Sequence, residues 1–243
     1  DMRGAAFGND SRWFVDATTV ARSTRSIEYL GDLFRGGATS AAGVAAASDG
    51  RKFAVGSGRG TIGVWRIGEF PVKLDLHGHT GRTTSLAFSP DSQKLVSGSD
   101  VDPDIRLWDI EAKKTIKTFG LKTGITRSIA FSPDGSRILA VRRLKLQHQY
   151  ELKDWTLDGA EAGQWHLEGH KIYSFAFSKD GKLLATGDRE DGRVIIWNAE
   201  TRKTIAEIKG HQSGVSAIGF MPDGRRLVTA GIDRAVKLWD TQT

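Results

Sequence analysis

The chain has 243 residues, 29 glycines, 5 prolines and no cysteine, with 39% hydrophobic and 26% charged residues. That composition describes an ordinary globular chain and excludes a disulfide framework, a thiolate nucleophile and any cysteine-based metal centre. No stretch reaches the roughly 18 apolar residues of a membrane span, and a net charge of +6 favours an acidic partner, whether phosphate, nucleic acid or protein.

The opening segment AAFGNDSRWFVDA matches IGFMPDGRRLVTA near the other end position for position. Phe7 falls on Phe220, Asp10 on Asp223, and Phe14–Val15 on Leu227–Val228. SIEYLGD then stands where AVKLWDT stands, with Leu30 at the tryptophan position, and Trp13 reads as a strand residue. This first repeat is degenerate. From Leu30 to its counterpart Ala46 takes 16 residues, against 23, 23, 22 and 23 in the later repeats. Its outer strand is therefore short or absent, and RGGATSAAG occupies the place.

From there the pattern becomes regular. Trp65, Trp108, Trp155, Trp197 and Trp239 recur at intervals of 43, 47, 42 and 42, closing the runs TIGVWR, DIRLWD, ELKDWT, RVIIWN and AVKLWD. Upstream of most lies a second phrase: FSPDSQKLVSGS, FSPDGSRILAV, FSKDGKLLATG, FMPDGRRLVTAG. Each period reads as an inner strand ending in Phe, a turn built from Pro, Asp and Gly, a second strand, a hairpin, and a third strand ending in Trp. The segments PVKLDL, TIKTF, GQWHL and TIAEI supply a fourth, outer strand rich in residues that suit half-buried sheet. Four strands in about 40–45 residues are the mark of a β-propeller blade. The expected fold is all-β: a single propeller of four-stranded antiparallel blades over 1–243, with repeats near 1–40, 41–76, 77–119, 120–167, 168–208 and 209–243. Six repeats are visible; the alternative is a fragment of a seven-bladed propeller. The sixth ends after its third strand, so a neighbouring chain completing that edge is also expected.

The chain resembles the WD40 repeat family over nearly its whole length. The dipeptide GH occurs at Gly78–His79, Gly169–His170 and Gly210–His211, with Trp-Asp or Trp-Asn 27 to 29 residues on. The resemblance implies a buried network of His, Ser/Thr, Asp and Trp inside a blade. Carried over, it comprises His79, Ser97, Asp102 and Trp108; His170, Thr186, Asp191 and Trp197; and His211, Thr229, Asp233 and Trp239. The third and fifth repeats have one extra residue before the Asp, so Asp100 or Asp104, and Asp188, compete for the role. The second and fourth repeats lack GH and place Val55 and Val141 at the Ser/Thr position. A nucleophilic triad is the rival reading of Ser/Thr, His and Asp, and threefold recurrence argues against it.

The same resemblance implies a docking face of loops, with contacts four and six residues before the strand-ending Phe. Those positions are Arg82 and Thr84, Ile125 and Arg127, Lys171 and Tyr173, and Gly214 and Ser216. The long hairpin VRRLKLQHQY adds Arg142, Arg143, Lys145 and His148. The expected function is a non-catalytic scaffold or protein-interaction module without cofactor or metal. Its partner would be an acidic or phosphorylated protein segment held on the basic loops of repeats three to five. Nucleic acid is disfavoured, since only Tyr150 and Tyr173 could stack on bases. The alternatives are a structural subunit or C-terminal sensor domain of a larger assembly and, remotely, a propeller-type enzyme.

Overall fold

The computed structural model describes residues 5–7, 13–16, 22–23, 43–66, 72–120, 124–144, 149–167 and 169–241. Among them no helix occurs, so none is long and apolar enough to cross a membrane. Within each sheet, strands that are consecutive in sequence pair antiparallel. The chain divides into two compact units, 1–131 and 132–243, and the division falls inside the fourth repeat.

Unit 1 begins with a short three-stranded sheet, Ala5–Phe7, Trp13–Asp16 and Arg22–Ser23. Phe7 pairs with Phe14 just as Phe220 pairs with Leu227, the register that the internal match requires. Its third strand, Arg22–Ser23, pairs with Trp13 and Phe14 and precedes SIEYLGD, which lies outside the described residues together with Leu30 and RGGATSAAG. The second sheet comprises Gly43–Ala46, Lys52–Gly56, Ile62–Arg66 and Val72–Leu76. The third comprises Thr83–Phe88, Lys94–Ser99, Ile105–Asp109 and Lys114–Phe119, and the strand Ile125–Phe131 ends the unit.

Unit 2 holds the remaining strands of the fourth repeat, Arg137–Arg143, Tyr150–Thr156 and Glu161–Gln164. The fifth sheet follows with Ile172–Phe177, Leu183–Asp188, Arg193–Asn198 and Thr204–Lys209. The sixth has three strands, Val215–Phe220, Arg226–Gly231 and Val236–Asp240. The outer strand expected at GQWHL stops at Gln164, because Trp165 turns inward and is buried.

The recurring turn explains itself chemically. Ser132 donates its hydroxyl to Asp134 (2.5 Å) and accepts the N–H of Arg137 (2.9 Å), while Asp134 accepts the N–H and hydroxyl of Ser136. Ser89–Asp91 and Ser178–Asp180 repeat the arrangement. Gly135 takes φ 73°, a conformation that costs glycine little. With its carboxylate bonded by Ser132 and then Ser136, Asp134 is held down to a pKa of about 2. Each phrase therefore fixes one hairpin and its register.

Packing between consecutive sheets follows strand alternation. In unit 1, Ile62 and Val64 of the second sheet face Leu86, Leu95 and Trp108 of the third. In unit 2, Ala185 and Val194 of the fifth face Val215 and Leu227 of the sixth. Burying each large aliphatic side chain contributes about 1.5–3 kcal/mol. The sheets approach closely where a β-branched residue sits over a glycine. A Cβ at Gly98 would lie 2.5 Å from Thr126, and one at Gly187 would lie 2.7 Å from Val215. Only a residue without a side chain lets these sheets meet.

Candidate functional site

In the third repeat the four expected residues converge. His79 Nδ1 lies 2.9 Å from Asp102 and Nε2 2.7 Å from the Ser97 hydroxyl, which also receives the Trp108 indole N–H at 2.8 Å. With a neutral imidazole each donor has one acceptor: Trp108 donates to Ser97, Ser97 to His79, and His79 to Asp102. Burial pushes the His79 pKa below 6.5, outweighing the attraction of Asp102. Burial works to raise the Asp102 carboxyl, yet the Asp104 N–H, His79 and Arg106 together hold it below its ordinary 3.8. Ser97 is wholly buried, so its hydroxyl is a link in the sheet that no substrate reaches.

The sixth repeat reproduces this arrangement. His211 lies 3.0 Å from Asp233 and 2.8 Å from Thr229, and Trp239 donates to Thr229 at 2.9 Å. The Gln212 N–H, followed by those of Ala235 and the His211 ring, holds Asp233 to a pKa of about 2.

The fifth repeat corrects the expectation. Trp197 donates to Thr186 at 2.9 Å, but the carboxylate beside His170 belongs to Asp188, at 3.7 Å from Nδ1. Asp188 collects the N–H groups of Lys171, Glu190 and Asp191, at 2.7, 2.7 and 3.2 Å. Asp191 instead accepts the backbone N–H of Arg193 and pairs with its guanidinium at 2.7 Å. A second correction concerns the fourth repeat. Ala140 pairs with Lys153 as Ser97 pairs with Arg106, so Ala140 and not Val141 holds the Ser/Thr position. Ala140 carries no hydroxyl, so the Ser/Thr link of the other networks has no counterpart at that position.

The loop residues divide by environment. In unit 1, Arg82 and Arg127 are half-buried and have no ion-pair partner among the described residues. Thr84 donates to the Thr126 carbonyl at 2.9 Å, which makes it a packing residue as much as a contact. In unit 2, Arg142 is only 3% exposed and pairs with Glu151. It does not belong to a docking surface, because its strand position points inward. Arg143 is half-buried at the strand end, opposite Tyr150. Lys145 and His148 lie outside the described residues. Lys171 pairs with Glu190 at 2.7 Å, a contact that raises its pKa, and Ser216 is exposed with its hydroxyl on the Ala230 carbonyl.

Two features escaped the sequence reading. Arg189 lies 5.7 Å over the Tyr173 ring and donates to the Tyr150 hydroxyl at 3.3 Å. Tyr173 is 37% exposed, so this cation is held between two tyrosines at the surface of unit 2. The extra residue in its hairpin was the available signal. Asp154, buried in the fourth repeat, bonds Arg137 (3.1 Å), Arg202 (2.9 Å) and the Trp165 indole (3.3 Å). Because Arg202 comes from the fifth repeat, this carboxylate ties two repeats of unit 2 together. Nothing in the spacing marks a contact between residues 48 apart.

Comparison with known proteins agrees with the geometry. The family model described as "WD domain, G-beta repeat" matches residues 71–109, 163–198 and 202–240. The chain is 27% identical over 79% of its length to Periodic tryptophan protein 2 of Arabidopsis thaliana, covering 21% of that protein. It is 32% identical over 66% of its length to Protein HIR1 of Candida albicans, covering 14%. With Pre-mRNA-processing factor 19 of Oryza sativa subsp. japonica the figures are 30% over 68%, covering 31%. The chain thus spans under a third of the length of these relatives. Antiparallel blade sheets, the GH-to-Trp networks inside them and the three matched repeats make this chain a member of the WD40 repeat family.

Proposed function

We propose that this chain is a non-catalytic interaction module that takes an acidic or phosphorylated protein segment on basic loop residues of its third to fifth repeats. The observation that carries this reading is Arg189, braced between Tyr150 and exposed Tyr173. A guanidinium already held in place loses less freedom when it grips a carboxylate or phosphate with two parallel hydrogen bonds. Arg and Tyr together are also the composition of binding hot spots. Arg143, opposite Tyr150 at the strand end, adds positive charge in the same unit. The hydroxyls that could mimic a nucleophile are enclosed in the networks, which supports a role without catalysis.

Fluorescence anisotropy with an array of acidic and phosphorylated peptides tests the reading. Arg189→Glu and Tyr173→Ala should each weaken the best peptide about tenfold or more, equivalent to about 1.4 kcal/mol, with thermal unfolding unchanged. Binding should also weaken at high salt. An array that yields no binder, or one that Arg189→Glu leaves untouched, overturns the reading.

A second reading, a structural subunit of a larger assembly, draws on the sixth sheet. Val236 and Leu238 are 73% and 57% exposed, whereas their counterparts Val194 and Ile196 are buried. An apolar sheet face of this kind marks an interaction site. Sedimentation would show concentration-dependent self-association that Leu238→Lys abolishes; a monomer at all concentrations argues against self-association as the means of covering it.

A further inference from the structure

We propose that His170, Asp188 and Asp191 form a binding site for a divalent transition-metal ion of the zinc class in the fifth repeat. The ligand atoms of the three side chains all lie within 4.8 Å of one another. His170 Nδ1 stands 3.7 Å from Asp188 Oδ2. That is too long for a hydrogen bond. It is close to the separation of about 3.4 Å between two ligands held at about 2.1 Å around a tetrahedral ion.

The state of the imidazole is the second, independent observation. In the third repeat both ring nitrogens of His79 are used, on Asp102 and Ser97, and in the sixth those of His211 are used on Asp233 and Thr229. The His170 side chain is nine-tenths buried, at 10% exposure. Among the described residues, however, neither ring nitrogen makes a hydrogen bond, and Thr186 serves the Trp197 indole alone. An imidazole whose ring nitrogens make no hydrogen bond to the described residues, beside two carboxylates, is free to give a lone pair to a bound cation.

The carboxylates are already oriented. Asp188 is fixed by the N–H groups of Lys171, Glu190 and Asp191, and Asp191 by Arg193. Supporting bonds of this kind hold metal ligands in place elsewhere. One imidazole with two carboxylates suits zinc and its neighbours. Calcium and magnesium favour oxygen ligands. Three protein ligands leave a position for water. The opposing view is that the Arg193 guanidinium already neutralises Asp191, and variants at the site decide between the two.

The metal-depleted full chain would be titrated calorimetrically with zinc chloride, and with cobalt(II) followed by visible absorption. The expected result is one ion per chain, released by chelator. Affinity should fall about tenfold or more in His170→Gln and in Asp191→Asn and stay unchanged in His166→Gln, an exposed histidine outside the cluster. Should His170→Gln unfold, Asp191→Asn decides, since Asp191 is 37% exposed and its loss opens no buried pair. Absence of saturable binding overturns the proposal, as does binding that survives Asp191→Asn.

Discussion

The third and fifth repeats carry the same residue types at the same spacing, with Asp five residues after Ser97 or Thr186 and six before Trp108 or Trp197. One closes its network and the other does not, and the difference traces to two positions. Ser99 ends the second strand of the third sheet, and its hydroxyl accepts the N–H groups of Val101 and Asp102, each at 3.3 Å. Asp188 ends the matching strand of the fifth and accepts those of Glu190 and Asp191. Being longer and charged, it also takes the Lys171 N–H and occupies the space beside the histidine. Two residues past Asp102 stands Asp104, and two past Asp191 stands Arg193. Asp104 offers Asp102 only a backbone N–H, whereas Arg193 adds a guanidinium that holds Asp191. Side chains at the hairpin corners, and not the four network residues, decide whether the ring of bonds closes.

The largest test of this contrast removes each histidine. His79→Ala should cost about 3 kcal/mol, because it takes one partner from the buried Asp102, leaves the buried Ser97 hydroxyl without its acceptor and opens a cavity. His170→Ala should cost about 1 kcal/mol, since it breaks no hydrogen bond of that kind. Chemical denaturation of the two variants measures both, and equal losses would dissolve the distinction. An intermediate effect is expected from Asp188→Ser, which copies the third repeat into the fifth. It should let Asp191 reach His170, seen by NMR as a protected imidazole N–H, with stability altered by about 1 kcal/mol or less. If the N–H stays in fast exchange, Arg193 is the stronger determinant.

The smallest effect is that of pH. His79 titrates below its ordinary 6.5 in the folded chain, and Asp102 and Asp233 titrate below 3.8. The folded state therefore binds fewer protons than the unfolded one, and acid destabilises it. The His79 contribution is complete above pH 6.5 and is lost as pH falls through the window beneath it. The carboxylate contributions are lost below about 4, where the unfolded chain titrates. Tm measured from pH 7 to 3 should fall in these two stages, and His79→Gln should flatten the first. A flat profile between 7 and 5 in the parent chain would contradict the neutral His79.

The blade pattern was open to inspection because tryptophan spacing, Ser-Pro-Asp turns and alternating apolar residues are local. The same is true of the third and sixth networks, each read residue by residue. Asp191 was misread because its spacing to Trp197 equals that of Asp102 to Trp108, and spacing says nothing about Arg193 competing for it. Val141 was misplaced by one residue, a slip that pairing with Lys153 exposes and hydrophobicity cannot, since Ala140 and Val141 are both apolar and both buried. Arg142 was read as a surface cation because charge suggests exposure, whereas its alternation along the strand turns it toward Glu151. Arg189 and the Arg202–Asp154 bond are tertiary events with no local signature.

The seam in which a β-branched side chain rests over Gly98 or Gly187 behaves as a standard coupling between modules. Any repeat with glycine at that place near the end of its second strand, followed by one with Thr or Val at the facing place of its first strand, presents the same connector, so such repeats can be duplicated or exchanged without redesign of the joint. At the place corresponding to Gly98 the fourth repeat has Val141, and the repeat after it begins with the buried Ile172. With Val141 in place of a glycine, the fourth repeat lacks the connector that Gly98 and Gly187 provide.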